Sequence, residues 1–453
     1  MNVKKHSSLI TIVAGTAMLL STLDTGIINV ALPFLKNELH SATSITALTV
    51  TGYTLSLAIC ILPFGYFSDR FGKLRISYLG FILFGLSSIL CGIATNISTL
   101  IFFRVLQGIG AAALQATSAA LITTLVDSKY VNRSLGVLGI MIGLGPVLGP
   151  SIGGLFLAVN AWRLIFWINV PFTVIGIICI QFLIRKVSEK RKIISFDWFG
   201  STLSSSMVVL LISGFSLLSN RNNLWKGIVF VILGLINACA FYRIELKQKN
   251  PLIDFRSLNK NLISYLFFGE TIVFGFASAM IFFLPPFIFQ ELMHFNVSQT
   301  GLLVLGAPTG LVIFSRISGK QNDGNKNEYF SILGLLIIAF SLLCLLIFNL
   351  RWPAILVTLL LFIYGVGGGY FQSANIASIM TLSDSQSQGS IGSLQRMAQN
   401  VAIASGTAIG STLISLFPNQ LNLSIKLSWG LVLILNVIIL LTAWKVVRSI
   451  KIA

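Results

Sequence analysis

Long apolar runs alternate with short polar interruptions along almost the whole chain. A helix that crosses a bilayer needs about 20 mostly apolar residues. Fourteen runs reach that length: 9–32, 45–67, 74–94, 98–125, 134–158, 162–184, 198–219, 225–244, 262–287, 298–318, 329–349, 353–381, 390–416 and 427–447. The pattern predicts an all-α integral membrane protein with 14 transmembrane helices. Most connections are short. The two longest polar ones, Arg185–Asp197 and Arg243–Asn261, bracket the seventh and eighth runs. That spacing predicts a six-helix half at 1–184, linker loops with an extra helix pair at 185–261, and a second six-helix half at 262–453. The first run follows Lys4 and Lys5, as in a signal peptide. It is longer than the usual apolar region of such a leader and carries Asp24, so it reads as the first spanning helix.

Charge sets the expected orientation. Lys and Arg accumulate in cytoplasmic loops of membrane proteins. With the N-terminus placed inside, 24 of the 31 Lys and Arg fall in inside segments and six outside, and Arg104 lies within the fourth run. An even number of helices then puts both termini in the cytoplasm. The net charge of +18 is explained by this topology, and nucleic-acid binding is not expected. Only 10% of residues are charged against 55% hydrophobic, and the mean hydropathy is +0.90. Soluble domains carry about 25% charged residues, so the bilayer is the expected solvent. Cys60, Cys91, Cys179, Cys239 and Cys344 all lie in apolar runs and read as packing residues. His6, His40 and His294 do not pair at ligand spacing, and no metal site is expected. No nucleophile constellation or nucleotide loop points to an enzyme or an ATP-driven pump.

Several stretches carry more than composition. After the second run comes Gly65-Tyr-Phe-Ser-Asp69-Arg70-Phe-Gly72-Lys73, and after the tenth comes Gly319-Lys-Gln-Asn-Asp323-Gly324-Asn-Lys326. Both hold G-x-x-x-D followed closely by a basic residue, at equivalent positions of the two halves. Repeated halves around a central site are a common transporter plan. The fifth run carries Gly139, Gly143, Gly145, Pro146, Gly149, Pro150, Gly153 and Gly154. Glycines three and four apart leave a bare stripe on which another helix can approach closely, and the prolines remove backbone hydrogen bonds.

Together with Leu23-Asp24-Thr25-x3-Asn29-Val-Ala31-Leu32-Pro33, Arg104-Val-Leu-Gln107-Gly108-Ile-Gly110, Trp162-Arg163 through Asn169-Val-Pro171, and Gly389–Asn400, these motifs resemble the fourteen-helix drug–proton antiporter branch of the major facilitator superfamily. Its members include Gram-positive multidrug exporters. The resemblance implies a proton-coupled multidrug efflux antiporter of the bacterial cytoplasmic membrane, a monomer conferring antibiotic resistance by alternating access. Its partners would be protons, membrane lipids and small lipophilic or cationic drugs. It would need no cofactor beyond the proton gradient. The resemblance gives Gly65, Asp69, Arg70, Gly72 and Lys73 a gating role, in which Asp69 and the basic residues latch the halves together on the cytoplasmic side. Read from the residues alone, the alternative is that Asp69 and Arg70 are a solvated loop pair. The resemblance makes Gly145, Pro146, Gly149, Pro150, Gly153 and Gly154 the antiporter helix motif. Within the same fold, an uptake symporter or a lipid flippase is the alternative. A flippase is expected to offer basic cavity residues to phosphates, and only Arg104 qualifies.

Three charges fall in hydrocarbon: Asp24, Arg104 and Glu270. Glu270 lies about eight residues, or about 12 Å, into its helix. A charge at the bilayer centre costs at least about 2.5 kcal/mol, so such residues usually face a cavity and serve function. Asp24 and Arg104 fall at similar depth, and Asp24 either neutralises Arg104 or acts as a second site. Glu270 has no basic residue at its depth. An isolated carboxyl in oil favours its protonated form. It can take a proton from the acidic side, lose it inside, and attract a cation only when ionised. Proton and cationic drug then compete for one group. On this reasoning Glu270 and Asp24 are the candidate proton-coupling and substrate sites, with Arg104 as supporting charge. Aromatic faces attract cations by about 0.5–2 kcal/mol. Phe267, Phe274, Phe276, Met280 and Phe283 near Glu270, with Tyr53, Gln115, Tyr364 and Tyr370 on other central helices, are the candidates for a drug cavity.

Overall fold

The computed structural model describes residues 6–41, 43–189, 196–218, 223–259, 263–322, 324, 326–349, 351–381, 387–417 and 419–452. Lys4, Lys5, Lys190, Arg191, Lys192, Arg221, Lys260 and Asp323 lie outside the described residues, as do the side chains of Asn29, Pro33, Pro146, Arg448 and Lys451.

The described residues form fourteen long helices: α1 (Ser7–Glu38), α2 (Thr43–Phe71), α3 (Lys73–Ile93), α4 (Ile97–Leu125), α5 (Val131–Ala158), α6 (Asn169–Lys186), α7 (Trp198–Leu218), α8 (Leu224–Glu245), α9 (Ile263–Phe283), α10 (Gly306–Gln321), α11 (Asn327–Ile347), α12 (Ala354–Thr381), α13 (Gln388–Leu416) and α14 (Leu421–Ile452). Among the described residues, thirteen segments are long and apolar enough to cross a membrane. The exception is α13, whose first half carries Gln388, Ser390, Ser393, Gln395, Arg396, Gln399 and Asn400.

Local chemistry explains the ends. Asn96 starts α4 by accepting the Thr99 N–H on its side chain at 2.9 Å. Gly72 separates α2 from α3 at φ 105°, a left-handed conformation that favours glycine. Pro285 and Pro286 follow directly on the last turn of α9 and change the course of the backbone.

Contacts divide the chain into two compact units. The first is Met1–Ser201 with Ser383–Arg396, and the second is Thr202–Leu382 with Met397–Ala453. The first unit has a core of Leu23, Ile27, Leu100, Trp162 and Phe166. The second is built around Phe274, Leu335, Leu342, Tyr364 and Trp429. Inside each unit the helices pair by the same rule. In the first, α1 packs on α4, α5 and α6, α2 on α4, and α3 on α4 and α6. In the second, α9 packs on α12 and α14, α10 on α12, and α11 on α12 and α14. Gly275 and Gly406 bring α9 and α13 together in the way α1 meets α5.

The glycine stripe of α5 has α1 as its partner. A methyl group added at Gly149 would stand 2.7 Å from the Gly26 backbone, and one at Gly145 would stand 2.3 Å from Thr22 Oγ1. Nothing lies within 4 Å of the same position at Gly154. Gly149→Ala is therefore expected to destabilise by about 1–3 kcal/mol through overpacking. Gly154→Ala should be neutral or stabilising by up to about 1 kcal/mol, because alanine is the better helix former. Thermal unfolding of the two purified variants in detergent separates them, and equal shifts would contradict the α1–α5 contact.

Candidate functional site

In the first unit, Asp24 of α1 is 2% exposed and Arg104 of α4 is wholly buried. Arg104 Nη1 lies 2.5 Å from Asp24 Oδ2. Gln107 Nε2 and Asn169 Nδ2 donate to Asp24 Oδ1 at 2.9 and 3.2 Å. Arg104 also donates to the Thr49 carbonyl through Nε at 3.0 Å and to Gln107 Oε1 through Nη1 at 2.7 Å. Its guanidinium carbon sits 4.3 Å from the centre of the Tyr53 ring, a cation–π contact. Both oxygens of Asp24 are engaged and its charge is matched. Four helices, α1, α2, α4 and α6, are tied together at this point. The geometry supplies the neutralising partner that depth along the sequence leaves as one of two readings.

The second unit presents a different acid. Glu270 of α9 is fully buried. Ser331 Oγ on α11 donates to Glu270 Oε2 at 2.6 Å, and Asn375 Nδ2 on α12 reaches the same oxygen at 3.2 Å. Glu270 Oε1 has no hydrogen-bond partner among the described residues, and Glu270 is in no ion pair among them. By the shared pairing rule, α4 and α12 occupy equivalent places. The first helix of each unit carries an acid, and the equivalent partner answers it with a guanidinium in one unit and a neutral amide in the other. The sequence motifs include Gln107 and Asn169 without giving them a task, and they do not include Ser331 or Asn375. The available signal was the polar residue itself: Ser331 at the start of a long apolar run, and Asn375 in the polar cluster Gln372-Ser373-Ala374-Asn375.

Gly65, Asp69 and Arg70 lie in the last turns of α2, not in a loop, and Asp69 and Arg70 are not a solvated pair. Asp69 is 4% exposed. Its Oδ1 accepts the Gly389 N–H at 2.9 Å, and its Oδ2 accepts the N–H and hydroxyl of Ser390 at 2.8 and 2.9 Å. Lys73 Nζ lies 3.1 Å from Oδ1. A carboxylate thus closes the first turn of α13, where unsatisfied N–H groups and the helix dipole favour negative charge. Gly65 and Gly389 permit the approach, since a methyl group at Gly65 would fall 2.7 Å from the Gly389 carbonyl oxygen. Arg70 lies over the Phe71 ring at 5.2 Å. Glu189 binds the other side of the motif, accepting the Lys73 and Leu74 N–H groups at 2.8 and 3.2 Å.

The aromatic candidates separate into groups. Tyr53 and Gln115 converge on Ser21 of α1, through its carbonyl at 3.2 Å and its hydroxyl at 2.6 Å. Phe274 stacks parallel to Tyr364, with ring centres 6.5 Å apart, and lies 4.7 Å from Phe371. The Tyr364 and Ser278 hydroxyls share a hydrogen bond of 2.9 Å. Phe267, one turn before Glu270, gives its carbonyl to Asn375. Phe276, Met280 and Phe283 face the Gly406 and Gly410 positions of α13. Tyr370 stands apart between Phe314 and Phe330, 5.6 Å from each.

Residues 14–407 match the family model of the Major Facilitator Superfamily. The chain belongs to the Major Facilitator Superfamily. It is 30% identical over 415 residues to the riboflavin transporter RibZ of Clostridioides difficile, covering 90% of this chain and 88% of that one. It is 25% identical over 412 residues to the multidrug efflux pump SdrM of Staphylococcus aureus, covering 90% and 89%. Among solved structures, the human organic anion transporter MFSD10 matches with a TM-score of 0.69 at 14% identity, over 97% of this chain and 100% of that one. At that identity the likeness is one of fold. This superfamily protein is a multi-pass membrane protein, and both family and relatives mark it as a transporter rather than an enzyme.

Proposed function

We propose that this facilitator-superfamily protein is a proton-coupled antiporter that exports lipophilic, often cationic, compounds across the bacterial cytoplasmic membrane. The observation that carries the reading is Glu270: a fully buried carboxyl with two neutral donors, no cationic partner, and one oxygen open among the described residues. In its protonated form the group is neutral and releases a cation. In its ionised form it attracts one. Alternating exposure to the acidic outside and the neutral inside converts that competition into exchange. The membrane potential adds about 2.3 kcal/mol per charge per 100 mV.

The remaining assignments follow from this reading. All fourteen long helices, α13 included, cross the membrane as two six-helix halves with α7 and α8 inserted, and both termini are cytoplasmic. The Asp69 grip on α13 serves as the gate on that side. Asp24 and Arg104 form a fixed, neutral pair, and the protons travel through Glu270. The chain works as a monomer, with no cofactor. A second reading, carriage of another solute, draws on the similarity to RibZ. The deciding experiment is pH-gradient-driven transport of ethidium into or out of proteoliposomes, with wild type and Glu270→Gln side by side. Riboflavin is offered in parallel, to separate the two readings.

A further inference from the structure

The surroundings of Glu270 distinguish its two oxygens. Oε2 receives both donors, Ser331 Oγ at 2.6 Å and Asn375 Nδ2 at 3.2 Å. Oε1 receives none among the described residues. The Asn375 amide is oriented by the two oxygens that its nitrogen meets. Its nitrogen faces two oxygens, Glu270 Oε2 and the Phe267 carbonyl at 3.0 Å, and both are acceptors. Its oxygen faces the Thr271 hydroxyl at 2.7 Å, a donor. Turning the amide over would set its oxygen against two acceptors, the ionised carboxyl among them, although its nitrogen could still donate to a threonine hydroxyl turned to the Phe267 carbonyl. Thr271 is the neighbour of Glu270 in sequence, is 1% exposed, and its hydroxyl meets the Asn375 amide oxygen at 2.7 Å and the Phe267 carbonyl at 3.0 Å.

We infer that Ser331 and Asn375 fix Glu270 Oε2 as a permanent acceptor and so make Oε1 the atom that takes up and releases the coupled proton, with Thr271 as a positioning residue that holds the Asn375 amide in the donating orientation. The inference rests on the reading of Glu270 as the coupling acid. A proton added at Oε1 leaves Oε2 a carbonyl oxygen, still able to accept from both donors. The network therefore keeps its pattern in both protonation states, and proton exchange requires no rearrangement around it. Donors to a carboxylate favour the ionised form. Their strength thus sets the pH at which proton and cation exchange places.

Other groups near α9 leave this assignment intact. Glu328, one turn before Ser331 on α11, is an exposed carboxylate on the helix that supplies the Ser331 donor. From α12 come the phenols Tyr364, bonded to Ser278, and Tyr370. From α14 comes aliphatic Ile439 against Gly269, and from α13 comes Ala402 against Gly275.

The test is the pH dependence of ethidium binding to purified protein, for wild type, Ser331→Ala, Thr271→Val, Thr271→Ser, Glu328→Gln and Glu270→Gln. Loss of a donor makes the carboxyl hold its proton to higher pH. The binding midpoint should move up by about one pH unit in Ser331→Ala, the scale of one hydrogen bond to a charged group. Thr271→Val should move it the same way by less, and Thr271→Ser, which keeps the hydroxyl, should restore it. Glu328→Gln does not move the midpoint up, and binding at high pH stays as in wild type in every variant that keeps Glu270. Midpoints unchanged in Ser331→Ala and Thr271→Val, or a uniform loss of binding at every pH, would overturn the inference. Glu270→Gln must flatten the profile. If it keeps the wild-type midpoint, the error lies in choosing Glu270 as the coupling acid and not in its network.

Discussion

Replacing Glu270 by glutamine abolishes pH-gradient-driven ethidium transport while leaving the protein folded. The substitution preserves volume, and the amide oxygen can still accept from Ser331 and Asn375, which hold Oε2 in the wild type. It removes a buried charge that has no cationic partner among the described residues. A cation about 4 Å from a carboxylate gains about 4 kcal/mol at an effective dielectric constant of 20. Losing that attraction costs about a thousandfold in affinity, at about 1.4 kcal/mol per factor of ten. The competing proton is lost as well, so the gradient has nothing to act on. The expected rate is that of empty vesicles, with an unfolding temperature equal to or above wild type. Wild-type rates in a folded Glu270→Gln protein would contradict the assignment.

Breaking the buried Asp24–Arg104 pair should cost folding instead. Asp24 and Arg104 are both inaccessible, at 2% and 0% exposure, with their charges 2.5 Å apart. Removing one partner of such a pair typically costs about 3–5 kcal/mol, because the other charge stays in a low dielectric alone. Asp24→Asn leaves Arg104 with Gln107, the Thr49 carbonyl and the Tyr53 ring, all of them neutral. Arg104→Met leaves Asp24 with two amide donors. Each single variant is expected to show low yield and a strongly lowered unfolding temperature in detergent. The double variant Asp24→Asn/Arg104→Met should recover most of the loss, since both charges go together. It should also retain ethidium transport if the pair is structural. A well-folded double variant with no transport would return Asp24 to the role of a second proton or substrate site.

Much of this architecture is legible in the sequence because a bilayer imposes length and polarity on every crossing segment. The run at 74–94 corresponds to Lys73–Ile93, and the run at 98–125 to Ile97–Leu125. The helices also continue beyond their apolar parts. The first apolar run stops near residue 32, whereas α1 continues to Glu38, because backbone hydrogen bonding tolerates polar side chains once a helix leaves the hydrocarbon. Polarity blurs α13 in the opposite sense: a long helix exists there, but its polar first half leaves it less apolar than the thirteen segments fit to cross a membrane.

The sites divide along the same line. Depth along a helix can be counted from sequence, so Asp24 and Arg104 can be matched as partners at one level. Rotation about each helix axis and the choice of neighbour cannot be counted. Ser331 and Asn375 stand 61 and 105 residues from Glu270, and Gly389 stands 320 residues from Asp69. Only folding reveals those meetings. The Gly65 motif advertises a tight turn and a charge, but the backbone N–H groups that the charge binds have no signature in the sequence.

The central claim is that a proton and a cationic compound compete for Glu270, and proton release measures it most directly. Ethidium or a quaternary ammonium compound is added to purified protein in weakly buffered detergent solution, near the binding midpoint, while a pH indicator is followed. The wild type should release protons in step with saturation of binding, and Glu270→Gln should release none. Binding without proton release in the wild type, or equal release in both proteins, would contradict the account.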